Sequence, residues 1–124
     1  MPDITLSIVT YNSEKHIRKA IDGIIDGMTQ VFEESEAAAD YRIIVVDNAS
    51  TDGTAGIVRK AQTDYPGLIE WLPLKTNRGF GAGHNHALSL MKGQYHAVVN
   101  PDIVVPQGSL LEMIDFMNAI QTAA

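Results

Sequence analysis

The sequence predicts an α/β fold: a Rossmann-like, open and mainly parallel sheet with helices on both faces. Three observations lead there. Four short apolar runs, starting near Ile4, Tyr41, Leu68 and Tyr95, are separated by stretches in which apolar residues recur at helical spacing. The run Ile43-Ile44-Val45-Val46 is apolar at every position, as a central parallel strand covered on both faces must be. Polar motifs follow the runs: Thr10-Tyr11-Asn12, Asp47-Asn48, Asn77-Arg78 and Asn100-Pro101-Asp102. Open α/β sheets bind ligands outside the carboxyl ends of their strands, so motifs far apart in sequence describe one site.

The elements follow in order. Ile4 to Thr10 is the first expected strand. Ser13 is placed to cap a helix on which Ile17, Ala20, Ile21, Ile24, Ile25 and Met28 share a face, with Gly27 a candidate kink or end. Glu33 to Ala39 is polar or small throughout and reads as a solvated helical extension or a loop. Tyr41 to Asp47 is the second strand. Asn48 to Gly53 is turn chemistry, and a helix is expected from about Thr54 to Tyr65, closed by Pro66-Gly67. Leu68 to Leu72 is the third strand, ended by Pro73. A glycine-rich loop spans Lys75 to Gly83, and a short helix runs to about Met91, stopped by Lys92-Gly93. Tyr95 to Asn100 is the fourth strand, with Ile103 to Val105 a short edge segment. Ser109 opens a last helix carrying Leu110, Met113, Ile114 and Met117 on one face. Alternation of this kind implies right-handed crossovers within a single domain spanning residues 1–124.

Composition narrows the function. The chain is 45% hydrophobic and 19% charged, which is globular and not disordered. A net charge of -6 makes it a poor partner for nucleic acid or an anionic membrane, so no nucleic acid is expected among its ligands. With no cysteine, neither a disulfide framework nor a thiolate metal site is available. Met1-Pro2-Asp3 is acidic and lacks signal-peptide character. No apolar run reaches membrane-spanning length, and a cytoplasmic location is expected.

Each motif has a chemical reading beside a plainer one. The Asp47 carboxylate can accept a hydrogen bond from the imide N–H of uracil or thymine; a turn or helix-capping aspartate is the plain alternative. Ser50 and Asp52 read as turn and cap residues. Thr10 and Tyr11 line a base and ribose pocket, or merely end a strand. The Arg78 guanidinium suits a diphosphate through charge-assisted bidentate bonds, or is a solvated loop charge. Gly79, Gly81 and Gly83 permit close backbone approach, but His84 stands where a dinucleotide fingerprint needs its third glycine. His84 and His86 do not share a helix face, which argues against zinc. Asn100-Pro101-Asp102 also satisfies a type I turn.

Together, Leu6 to Asn12, Ile44 to Thr54, Asn77 to Asn85 and Asn100-Pro101-Asp102 resemble the nucleotide-sugar-binding half of family 2 glycosyltransferases, which have the GT-A fold. The resemblance covers essentially the whole chain. It implies that Asp47 contacts the base and that Thr10, Tyr11, Asn77, Arg78, Asn100 and Asp102 complete the nucleotide-sugar site. Asn100-Pro101-Asp102 takes the place of the family's Asp-x-Asp motif. Asp102 is then the protein ligand for Mg²⁺ or Mn²⁺. Asn100 replaces the first carboxylate, as in sequences similar to rhamnosyltransferases.

The resemblance implies metal-assisted, inverting transfer of a sugar from a UDP- or dTDP-linked donor to a glycan or other hydroxyl acceptor, as in polysaccharide biosynthesis. Few residues follow Asp102, and Glu112 and Asp115 have the spacing of a solvated helix face. The expectation is therefore a donor-binding half without a catalytic base, with a non-catalytic nucleotide-sugar-binding module as the alternative. Ile103 to Val105 and the Leu110, Met113 and Met117 stripe are expected to be exposed. A homodimer through this C-terminal segment follows from that.

Overall fold

The computed structural model describes residues 4–34, 40–77, 79, 82, 85, 95–102 and 108–123. They form β1 (Ile4–Thr10), α1 (Ile17–Glu34), β2 (Tyr41–Asp47), α2 (Thr54–Asp64), β3 (Ile69–Pro73), β4 (Tyr95–Val99) and α3 (Ser109–Ala123). The four strands are all parallel, in the order β3-β2-β1-β4. Ile4 pairs with Tyr41 on one side and Tyr95 on the other. The expected Rossmann-like sheet is thus present, and each strand was located to within one residue at either end.

Burial explains why these segments adopt this arrangement. All seven residues of β1 are buried because the strand has a neighbour on each side and both its faces are covered. Leu6 and Ile8 of β1, with Ile43 and Val45 of β2, meet Ile17, Ile21, Ile24 and Met28 of α1. Val58 and Ala61 of α2 and Leu110 and Ile114 of α3 join the same cluster. Among the described residues, all three helices therefore share one face of the sheet. The helix expected before Met91 lies outside the described residues.

The opposite face buries Val9, Ile44 and Val46, with Leu72 and Leu74 packed against them. Thr5 and Ser7 are also buried. His96 places Nε2 2.8 Å from the Ser7 hydroxyl, and burial pushes its imidazole below the usual histidine range. It is a structural group, bonded within the sheet. Trp71 packs on the edge of the main core.

Three local expectations are corrected. Ser13 does not cap α1 with its hydroxyl, which instead donates to the Tyr11 carbonyl at 3.3 Å. Its carbonyl accepts the N–H groups of His16 and Ile17, each at 2.9 Å. Gly27 does not end α1, which runs on to Glu34. A Cβ at Gly27 would lie 2.7 Å from Leu110 Cδ1, so the glycine lets α3 approach closely. That contact takes Leu110 out of the stripe expected to be exposed: Leu110 and Ile114 are buried against α1, and Met113 is half-buried. Phe116, at 66% exposure, is the apolar α3 residue left in water among those described. Ile103 to Val105 and the Met117 side chain lie outside the described set. Leu110 is therefore not available to a dimer through this stripe.

An ionic cluster ties α1 to the end of α2. Arg18 donates to Asp22 at 3.0 Å and to Asp64 at 2.8 Å, with the Tyr65 ring 5.6 Å from its guanidinium carbon. The Arg18 and Lys60 bonds hold the Asp64 carboxyl below the usual carboxylate range.

Candidate functional site

The sheet topology fixes where a ligand can lie. The chain passes from β1 outward through β2 to β3, then returns to place β4 on the other side of β1. The switch point is the crevice between β1 and β4, at their carboxyl ends. There Thr10 pairs with Asp47, and Asp47 with Pro73, so the ends of three strands lie level. Ile8 pairs with Val99, which carries Asn100 and Pro101 alongside Val9 and Thr10.

Beyond that level, the loops after β1 and β2 are joined by polar bonds. The Asn48 N–H donates to the Thr10 carbonyl at 2.8 Å. The Asn12 N–H donates to Ser50 Oγ at 2.9 Å, and Asn12 Oδ1 accepts the Thr51 N–H at 2.8 Å. The Ser13 N–H donates to Thr54 Oγ1 at 3.0 Å. Two further bonds cross the loops at Glu14: Gly53 N–H donates to Glu14 Oε2 at 2.8 Å, and Glu14 N–H to Asp52 Oδ2 at 3.3 Å. Asp52 Oδ1 also accepts the N–H and hydroxyl of Thr54, holding the start of α2. Burial pushes the Asp52 carboxyl up, but the bonds from Thr54 and Glu14 outweigh it and leave the group below the usual carboxylate range. Two residues here have left-handed backbone, Asn12 at φ 48° and Ala49 at φ 63°. Side chains other than Gly and Asn rarely adopt it, and such strain gathers where a loop must hold one shape.

All the expected site residues except Arg78 lie among the described residues. Thr10 is fully buried, and its Oγ1 has no hydrogen-bond partner among the described residues. Tyr11 is 42% exposed at the rim. Asp47 is nearly buried, and its carboxylate accepts both the hydroxyl and, at 3.1 Å, the N–H of Ser50. Turn-holding and ligand contact are therefore compatible readings of Asp47, because a carboxylate has about four acceptor positions. Asn77 Oδ1 accepts the Gly79 N–H at 2.8 Å, and the Gly79 carbonyl accepts from Asn48 Nδ2 at 3.1 Å. The loop after β3 is thereby tied to the loop after β2, with Gly79 at φ 82° making the turn. Asn100 and Asp102 are exposed, and Pro101 between them is buried and anchors the turn. Arg78, Gly81, Gly83 and His84 lie outside the described residues.

A metal was expected at Asp102. Among the described residues no group of three histidine, aspartate or glutamate side chains converges on a metal position. The donor set fits a different kind of site. Mg²⁺ and Mn²⁺ are commonly held by one or two carboxylates, with substrate phosphates and waters completing the shell. An exposed carboxylate beside an exposed amide oxygen meets that requirement.

The residues underestimated from sequence are Asn12, Glu14, Asn48 and Thr54. Their bonds run from side chain to backbone across loops 31 to 41 residues apart. The only sequence signal was the density of Asn, Ser, Thr and Asp after both strands. A groove of about 350 Å³, lined by Arg42, Gln62, Leu68, Glu70 and Trp71, flanks the start of β3 and has no part in this site.

Comparison with known proteins agrees with this fold. The chain is 28% identical, over 96% of its length, to the poly(ribitol-phosphate) beta-glucosyltransferase of Bacillus spizizenii, spanning 18% of that protein. Its structure is similar to that of S. aureus TarS 1–349 in complex with UDP, with a TM-score of 0.76 and 28% identity over 94% of this chain and 32% of that one. It is also similar to the mannosyltransferase PcManGT of Pyrobaculum calidifontis in complex with GDP-Man and Mn²⁺, with a TM-score of 0.79 and 25% identity over 94% of this chain and 34% of that one. The chain thus spans about a third or less of these relatives. Residues 5–124 match the family described as Glycosyl transferase family 2, and the chain belongs to that family.

Proposed function

We propose that this chain binds the nucleotide diphosphate sugar donor of a glycosyltransferase, with the nucleotide lying across the carboxyl ends of β1, β2 and β4. The observation that carries this reading is the level alignment of Thr10 and Asp47 at the carboxyl ends of β1 and β2, beside the switch point, with Asn100 and Asp102 following β4 on the other side of β1. The relatives crystallised with UDP and with GDP-Man support it.

In this reading Asp47 accepts the imide N–H of a uracil or thymine ring, so the donor is UDP- or dTDP-linked. Thr10 ends β1 at the same level, and Tyr11 at the rim covers the base and ribose. Asn100 contacts the ribose through its amide. Asn77 shapes the turn at Gly79, and the family resemblance assigns the Arg78 guanidinium to the diphosphate. Asp102 holds Mg²⁺ or Mn²⁺; when bound, the ion neutralises charge on the departing diphosphate.

Transfer is inverting in this reading. The acceptor hydroxyl oxygen, from a glycan or another alcohol, bonds to the anomeric carbon as the bond to the diphosphate oxygen breaks. The hydroxyl proton passes to a carboxylate. Glu112 and Asp115 are exposed on α3 and are not assigned that role.

Arg78→Ala tests the phosphate assignment. Loss of a charge-assisted contact costs roughly 1.5–3 kcal/mol. Calorimetry should therefore show UDP binding weakened and uridine binding unchanged. Equal losses for uridine and UDP would remove Arg78 from the phosphate site.

A further inference from the structure

An aspartate recognises a base only when its carboxylate plane is fixed, and the torsion that turns that plane has no sharp rotameric minimum. The fixing comes from outside Asp47. Its two oxygens each accept one bond from Ser50, Oδ1 from the hydroxyl and Oδ2 from the N–H at 3.1 Å. Ser50 is itself held. Its Oγ accepts the Asn12 N–H at 2.9 Å, which leaves its one proton for Asp47. Asn12 is locked in turn by its side-chain bond from the Thr51 N–H and by its left-handed backbone.

We propose that Ser50 and Asn12 are positioning residues that fix the Asp47 carboxylate and thereby determine which bases the site accepts. The proposal rests on the reading of Asp47 as the base contact. With one acceptor position on each oxygen filled by Ser50, the remaining positions are acceptors held in a set direction. They fit a ring N–H, as in uracil, thymine or guanine. Cytosine presents a lone pair at the corresponding ring nitrogen and is repelled. Discrimination therefore depends on the unfavourable partner as much as on the favourable one. A carboxylate free to rotate would lose that contrast. The control lies partly on the loop after β1, although Asp47 ends β2.

The test is calorimetric titration of the chain with UDP and CDP in Mn²⁺, with dTDP and GDP alongside. The unsubstituted chain should prefer UDP to CDP. Ser50→Ala should lose about tenfold in UDP affinity, the equivalent of one hydrogen bond to a charged group, while CDP affinity stays the same. Ser50→Thr keeps the hydroxyl and should restore most of the preference. Asn12→Ala should reduce the preference in the same direction, by less. A merely structural role would weaken both nucleotides alike, and equal losses in Ser50→Ala overturn the proposal. If Asp47→Ala abolishes the preference and Ser50→Ala retains it, the positioning role falls and the base contact stands. If Asp47→Ala retains the preference, or the unsubstituted chain favours none of UDP, dTDP and GDP over CDP, both fall.

Discussion

Asp47→Ala should reduce nucleotide binding and stability together. The lost bond between a base N–H and a carboxylate corresponds to roughly 1.5–3 kcal/mol, about a tenfold to hundredfold weaker Kd. The loss should already be present with uridine, in contrast to Arg78→Ala, where it should appear only with the diphosphate. Stability should fall as well, because the Ser50 N–H and hydroxyl lose their acceptor in a part-buried loop. An unsatisfied buried polar group costs about 1–3 kcal/mol. Titration with uridine and UDP, paired with urea unfolding, separates the two effects. Unchanged uridine affinity in a folded variant would return Asp47 to a purely turn-holding role.

Ile24→Ala should be the most destabilising single truncation in α1. Ile24 is fully buried where α1 packs on the sheet, in the same cluster as Leu110 and Ile114 of α3. Removing its side chain leaves a cavity that packed neighbours on two sides cannot close, at a cost of about 2–5 kcal/mol. Domains of this size are commonly stable by only about 5–15 kcal/mol, so the urea midpoint should fall steeply with little change in slope. Ile24→Val, at about 0.5–1.5 kcal/mol, calibrates the scale. A loss for Ile24→Ala no larger than that for Ile24→Val would mean that α1 does not pack as described.

The strands and the first two helices were legible because each is written locally. The uninterrupted Ile43 to Val46 run marks a strand covered on both faces, and the buried residues of α1 recur at the helical period. Gly27 and Leu110 show where local reading ends. The sequence marks a glycine within a helix and an apolar stripe on another, but not that the two meet. The site divides in the same way. Thr10, Asp47 and Asn100 were legible as strand ends, since topology alone brings strand ends together. The bonds from Asn12 to the Ser50 and Thr51 loop were not, because they join main chain to side chain across 38 and 39 residues. Such pairing has no local period or spacing. It depends on two loops reaching the same height above the sheet, which the strand register decides.

The most direct test of donor binding is calorimetric titration of the chain with UDP and dTDP, in Mn²⁺ and in EDTA, for the unsubstituted sequence and for Asp102→Ala. Donor binding at the strand ends predicts saturable binding of at least one of these nucleotides, tighter in Mn²⁺ than in EDTA, with most of that difference lost in Asp102→Ala. No binding of either nucleotide, with or without metal, would contradict it.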